Sequence, residues 1–167
     1  YLVIFNPNGG TGTMTAQSFT YGETQELSVN LFERTGYGFA GWNTKADGTG
    51  TPYSDKAPVS NLTAQANGSV TLYAMWSAQN YTITVDFGDG TYEGETEFIV
   101  PFGGNAFKQL NTPTAPENNY FFGWQVEGGT LSDLYYVQKS LTVTALYDLN
   151  DVQVVFFQKD GTTVSKT

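Results

Sequence analysis

The feature that most constrains this chain is that it repeats itself. A strand-like opening followed by a turn-forming tract occurs three times. Tyr1-Leu2-Val3-Ile4-Phe5 runs into Asn6-Pro7-Asn8-Gly9-Gly10, Tyr81-Thr82-Ile83-Thr84-Val85 into Asp86-Phe87-Gly88-Asp89-Gly90, and Val152-Gln153-Val154-Val155-Phe156 into Gln158-Lys159-Asp160-Gly161. The second and third superpose at one offset: Ile83 and Val154, Val85 and Phe156, and Gly90 and Gly161 are each 71 positions apart. Interior landmarks recur as well, Gly36-Tyr37-Gly38-Phe39-Ala40-Gly41-Trp42 against Asn119-Tyr120-Phe121-Phe122-Gly123-Trp124, and Val70-Thr71-Leu72-Tyr73-Ala74-Met75-Trp76 against Leu141-Thr142-Val143-Thr144-Ala145-Leu146-Tyr147. These landmarks divide the chain into a unit at 1–77, a second at 78–148 and the opening hairpin of a truncated third at 149–167. Because Tyr1 falls inside a strand-like run, the chain reads as a piece of something larger. The connector Ser77-Ala78-Gln79-Asn80 is short and carries no run of Pro or charge, so tandem units are expected to follow end to end.

Within each unit the pattern is mostly strand. Thr82-Ile83-Thr84-Val85 and Leu141 to Leu146 alternate with period two, which sends one set of side chains inward and the other to solvent. Asp47-Gly48, Asn67-Gly68 and Asp160-Gly161 are tight-turn dipeptides. Helix is expected at most as a turn or two within Glu23 to Phe32 and Val59 to Ala66, since neither holds a sustained 3.6-residue stripe. Units of about 70 residues lie near the lower limit for independent folding, and each needs a dense core. Phe5, Phe19, Phe39, Trp42, Leu72 and Trp76 are the candidates in unit one, and Val85, Phe98, Phe122, Trp124, Val143 and Tyr147 in unit two.

Composition narrows the chemistry. There is no Cys and no His among the 167 residues, and the formal charge is −9. Disulfides, zinc fingers, thiol or imidazole nucleophile relays and imidazole metal sites are therefore excluded, and a metal would have to be held by oxygen alone. The acidic balance disfavours non-specific attraction to nucleic acid or anionic lipid, and no apolar run is long enough to insert in a membrane. The acidity is uneven: unit one has 3 basic and 5 acidic residues, unit two 2 and 9, and the tail 2 and 2. Any private partner of unit two that is drawn by charge should be basic.

Residues Asn8-Gly9-Gly10-Thr11, Phe19-Thr20-Tyr21-Gly22, Arg34-Thr35-Gly36-Tyr37-Gly38-Phe39-Ala40-Gly41-Trp42-Asn43-Thr44, Ala46-Asp47-Gly48-Thr49-Gly50, Tyr53 and Val70 to Trp76 make unit one similar to the Listeria–Bacteroides repeat, also called the internalin B type B-repeat. Unit two resembles the same family in outline. It keeps Tyr120, Gly123-Trp124 and the closing strand, replaces Asn-Gly-Gly with Asp89-Gly90, ends in Tyr147 instead of Trp76, and has no counterpart of Asn43 to Asp47. The resemblance implies small β-grasp-like domains, mainly β with little helix, in tandem on bacterial cell-surface or secreted proteins, as in internalin-like proteins beside leucine-rich repeats.

Several motifs invite a functional reading and have a plainer one. The Gly-Trp dipeptides suggest a glycan platform, but a Trp on a central strand beside a close-approach Gly is more simply core. Asp86, Asp89 and the Glu93, Glu95, Glu97 row suggest calcium or acid–base work. On a strand, however, 93, 95 and 97 share one face, and a row of like charges is more simply a solvated face. Paired carboxylates for glycoside hydrolysis need a cleft that such small units have little room for. Asn61-Leu62-Thr63, Asn67-Gly68-Ser69 and Asn80-Tyr81-Thr82 match a glycosylation acceptor and read more simply as Asn-rich turns. A Lys–Asn isopeptide bond needs a buried Lys, whereas Lys45, Lys56, Lys108, Lys139 and Lys159 stand in polar or turn-like surroundings.

The expectation is thus a non-enzymatic stretch of tandem repeats without cofactor, catalytic residue or metal, monomeric within a longer multi-repeat chain on the outside of a bacterial cell. It would serve as a spacer or stalk and as an adhesion module for a host or matrix protein or a glycan, with Tyr37, Tyr53 and Tyr120 as candidate surface contacts. The alternative is a carbohydrate-binding accessory module of a secreted enzyme.

Overall fold

The computed structural model describes residues 1–149 together with the backbone of 156–157 and 163–164. It is mainly β. The strands are β1 (Leu2–Asn6), β2 (Gln17–Ser18), β3 (Gln25–Glu26), β4 (Tyr37–Asn43), β5 (Pro52–Tyr53), β6 (Pro58–Val59), β7 (Ser69–Ala78), β8 (Asn80–Asp86), β9 (Glu97–Pro101), β10 (Asn119–Val126), β11 (Leu141–Leu149), β12 (Phe156–Phe157) and β13 (Thr163–Val164). Two compact units result. The first comprises Tyr1–Asn80 with Pro101–Gly103, and the second begins at Tyr81.

In unit one the sheet order is β2-β1-β7-β4-β5. β1 runs parallel to β7 with Phe5 opposite Leu72, and β7 runs antiparallel to β4 with Ala74 opposite Trp42. The period-two pattern of β1 turns Val3 and Phe5 inward and leaves Leu2 and Ile4 exposed. The inner face is covered by Phe19, Leu27 and Phe32 from the segment after β2, and by Val59 of β6, which pairs with β3 as a separate ladder. Each of these fully buried side chains contributes about 1.5–3 kcal/mol of apolar transfer energy. Trp42, wholly buried, is the centre of this core, with ring centroids 4.8 Å from Phe5, 4.9 Å from Phe39 and 6.1 Å from Phe32. Its indole N–H has no hydrogen-bond acceptor among the described residues, a cost set against three aromatic contacts.

The Asn-Gly-Gly tract closes β1 through a tight turn. The Gly10 amide donates to the Pro7 carbonyl at 2.9 Å, with φ positive at both central residues, Asn8 (46°) and Gly9 (86°). That is the dihedral pattern of a type I′ turn, which favours Asn-Gly in those positions. Gly10 is required for another reason: a Cβ there would stand 2.6 Å from the Trp76 ring.

In unit two the order is β10-β11-β8-β9, with β8 parallel to β11 and β10 antiparallel to β11. Val85 lies opposite Val143, and Trp124 opposite Ala145. Its core holds Ile83, Val85, Phe98, Val100, Ala106, Trp124, Val126, Leu134, Val137, Leu141, Val143 and Ala145. The turn after β8 donates the Gly90 amide to the Phe87 carbonyl at 3.2 Å, with positive φ at Gly88 (52°) as first central residue.

Three expectations are corrected. Phe122 is not core: it is 67% exposed, and Phe121 packs inward instead. The reason is a bulge. The register between β10 and β11 shifts between Phe121 and Gly123, as that between β4 and β7 shifts between Phe39 and Gly41, so the extra residue, Phe122 or Ala40, turns outward. Neither proposed helical stretch is helical. Glu23 to Phe32 contains β3 and no helix, and Val59 to Ala66 begins with the last residue of β6 and continues through bends and a turn. The short 3-10 helices of the described residues are instead Phe107–Gln109 and Leu131–Leu134, the second opened by a Thr130–Asp133 capping box. Finally, of the acidic row only Glu97 lies in a strand, although Glu93, Glu95 and Glu97 are all exposed. Within the expected third opening at 149–167, β12 pairs antiparallel with β13, Phe156 opposite Val164. Its Val152 to Val155 and Asp160-Gly161 lie outside the described residues.

Candidate functional site

The three candidate tyrosines occupy different settings. Tyr37 opens β4, is half-buried, and carries the Arg34 guanidinium 4.0 Å from its ring centroid. Tyr53 is also half-buried; it pairs with Trp42 on the far part of β4 and packs on the core, five strand positions from Tyr37, or about 17 Å along the strand. Tyr120 is 43% exposed on β10, and its hydroxyl donates to Asp148 Oδ2 at 3.4 Å. Tyr37 and Tyr53 therefore do not form one contact patch.

What the fold does gather in unit one lies around Tyr37. An open hollow of about 340 Å³ is walled by Tyr37, Phe39 and Trp76 and edged by Thr11, Glu33, Arg34 and Thr35. The isolated bridge between Thr11 and Glu33 brings the residue after the Asn-Gly-Gly turn beside the Arg34 segment. Phe39 and Trp76 face each other across β4 and β7, ring centroids 5.7 Å apart and nearly perpendicular. The Trp76 indole N–H donates to the Pro7 carbonyl at 2.9 Å, which fixes the ring against the turn. Arg34, in the sequence one position of the Arg34-to-Thr44 motif, is the single arginine of the chain.

A second missed residue is Asn43, the buried polar side chain of β4. Its Oδ1 accepts from the Lys45 and Gly50 amides, both at 3.0 Å, and its Nδ2 donates to the Gly48 carbonyl at 3.1 Å. Asn8 reaches the same loop from the other side, donating to the carbonyls of Ala46 at 2.9 Å and Ala74 at 3.0 Å. Asp47 inside the loop accepts from the Thr49 amide and hydroxyl, which together hold its carboxyl below the usual range.

In unit two the exposed apolar side chains include Phe122, Ile99, Leu131, Tyr135 and Phe107, with Phe107 and Tyr135 stacked at 5.1 Å. Asp86, Asp89 and Glu93 all stand exposed rather than in a cleft, and the Asp86 carboxylate is occupied in accepting the Gly88 amide at 3.0 Å. No group of three or more acidic residues placed to hold a metal ion occurs among the described residues. The Tyr147 phenol, donating to the Phe87 carbonyl at 2.7 Å, has its pKa raised by burial and then by the charges of Asp86 and Asp89. Lys45, Lys56, Lys108 and Lys139 are exposed, which gives them no dry partner for an isopeptide bond. Asn61 and Asn67 both adopt positive φ, as turn asparagines do.

These β units, with an aromatic-walled hollow and an Asn-held loop in the first, define a small repeat domain. Residues 1–75 match the family model of the Listeria-Bacteroides repeat domain. Over 147 residues, 80% of this chain, it is 32% identical to a protein of Evansella cellulosilytica that carries the provisional name Gly-rich membrane protein. The chain spans only 16% of that protein's length. No solved structure matches. No helix among the described residues is long and apolar enough to cross a membrane.

Proposed function

We propose that the chain is a non-catalytic tandem-repeat section of a bacterial surface or secreted protein, built of β-grasp-like units, that spaces a distal part of its parent from the cell and offers surface for adhesion. The observation that carries this reading is that one strand ladder recurs: a parallel central pair, an antiparallel bulged Gly-Trp strand, and a closing aromatic that hydrogen-bonds the turn after the first strand. The membrane designation of the longer Evansella relative supports a surface location for the parent. A spacer needs units that fold by themselves, and the two units have separate aromatic cores. Adhesive contact would draw on edge strand β10 with its outward Phe122, by strand addition or apolar contact.

Pulling the chain end to end in a force spectrometer tests the spacer reading. Two separate unfolding events are expected, each releasing on the order of 25 nm, the extended length of about 70 residues. A single event releasing both units together would overturn it.

A further inference from the structure

We propose that the hollow of unit one is a binding subsite for an acidic sugar, with Arg34 as the carboxylate anchor and Tyr37, Phe39 and Trp76 as the wall against which the sugar ring lies. This rests on the surface reading above and adds a ligand class to it.

The argument begins with Arg34. The chain is acidic and has one arginine, and that residue is half-buried at the edge of the hollow walled by Tyr37, Phe39 and Trp76. Its guanidinium lies 4.0 Å over the Tyr37 ring, and among the described residues no carboxylate forms an ion pair with it. Stacking occupies the face of the guanidinium but leaves its in-plane N–H donors unspent, and those are the donors that match a carboxylate bidentately. A lysine would satisfy a purely structural demand for a charge over a ring less specifically, because it lacks the flat fork.

The turn also makes room for this wall. Gly9 borders the same guanidinium in ordinary contact, and Gly10 leaves the room that the Trp76 ring occupies, since a Cβ there would stand 2.6 Å from it. Trp76 is in turn pinned by its hydrogen bond to Pro7, so the wall is held rigid before any ligand arrives.

The remaining rim selects among anions. Thr11 and Thr35 line the hollow and supply hydroxyls, while Glu33 supplies an exposed carboxylate on the same rim. A sulfate, which brings acceptors only, meets Glu33 unfavourably. A sugar acid meets it well: its carboxylate faces Arg34, its hydroxyls donate to Glu33, and its C–H face lies on an aromatic ring. The hollow of about 340 Å³ lies at the small end of ligand sites, the size of one or two sugar rings rather than a folded partner. In unit two the position of Arg34 has no basic counterpart, since its only basic residues are Lys108 and Lys139. The site therefore belongs to unit one.

The test is a nuclear magnetic resonance titration of the whole chain in about 0.15 M salt, where long-range repulsion by the acidic chain is screened, using tetragalacturonate, neutral maltotetraose and trialanine as probes. Tetragalacturonate is expected to shift the Trp76 indole N–H, the Arg34 Nε–H and the Thr11 and Thr35 amides, and the two other probes are expected to leave them in place. Arg34→Gln should weaken the tetragalacturonate response at least about tenfold, the loss of one charge-assisted bidentate contact. Arg34→Lys should fall between, and the unchanged Trp42 indole signal reports that each variant is folded. No shift at roughly 10 mM tetragalacturonate, far weaker than a useful site, would overturn the proposal. So would an equal response to maltotetraose or trialanine, or a Gln variant that binds as wild type. A failed titration leaves the two-event force curve untouched, so the sugar site and the spacer reading fail separately.

Discussion

The Trp76 indole N–H donates to the Pro7 carbonyl at 2.9 Å, tying the closing strand of unit one to the turn that follows its first strand. Unit two makes the same tie with a different residue, Tyr147 donating to Phe87 at 2.7 Å. The two aromatics occupy one ladder position, Trp76 opposite Phe39 and Tyr147 opposite Phe121. Tyr147→Phe keeps the ring and removes only the donor, so it should destabilise unit two by about 0.5–1.5 kcal/mol. Trp76→Phe also shrinks a half-buried ring and should cost unit one more, about 1–3 kcal/mol. Urea unfolding followed by unit-specific aromatic signals checks both, and a Tyr147→Phe cost equal to zero would show the hydroxyl to be incidental.

The same phenol predicts an alkaline limb. Burial, then Asp86 and Asp89, raise the Tyr147 pKa, so the folded state favours the neutral phenol. Such a group contributes stability that is fully present below its unfolded value of about 10 and is lost as pH rises through the higher folded value. Unit two should therefore weaken above about pH 10, and Tyr147→Phe should flatten that limb. Thermal melts at several alkaline pH values measure it; an identical decline in the variant would assign the limb to other groups.

How far the chain was readable from its residues follows from what each signal encodes. Period-two runs such as Val3/Phe5 and Ile83/Val85 report which side chains face inward, and those positions are buried. A bulge breaks that arithmetic. Counting back from Trp124 without one puts Phe122 inside, whereas the extra residue in the strand turns it out and brings Phe121 in. Glu23 to Phe32 was ambiguous because its apolar residues do not share one face: Leu27 and Phe32 are buried in the core while Val29 and Leu31 are exposed, so its pattern does not report which side chains turn inward. Arg34 was hidden for a different reason: its setting depends on the pairing of Thr11 with Glu33, 22 residues apart, which no local pattern records.

The two bulge glycines make a controlled pair. Gly41 has φ of 129°, and a Cβ there would stand 2.7 Å from the Tyr53 carbonyl oxygen, which belongs to the short strand β5. Gly123 holds the matching place in β10, where among the described residues β11 is the one strand neighbour in the sheet, and a Cβ would meet nothing within 4 Å. Gly41→Ala should therefore destabilise by about 2 kcal/mol or more, through both backbone strain and collision. Gly123→Ala should be neutral or stabilise by about 0.4–1 kcal/mol, because it only reduces the freedom of the unfolded chain. Paired urea curves decide it, and equal costs at the two sites would refute the assignment of Gly41 to close approach by β5.

Asn43 should behave as the fastener of the loop that follows it. Its side chain satisfies the amides of Lys45 and Gly50 and the carbonyl of Gly48 from a buried position, so Asn43→Ala leaves those loop groups to find other partners beside a small cavity. Losing several such bonds at once is expected to cost about 2–4 kcal/mol. The loss should be local before it is global. Amide exchange at Lys45 and Gly50 should quicken by much more than at Leu72, which sits in the middle of the β1–β7 ladder. Asn43→Asp keeps an acceptor for the two amides but faces the Gly48 carbonyl with a second oxygen, so it should protect Gly50 better than Ala does while still lowering stability. If exchange at Lys45 and Gly50 rises only in step with that at Leu72, the loop unfolds with the whole unit and Asn43 does not hold it separately.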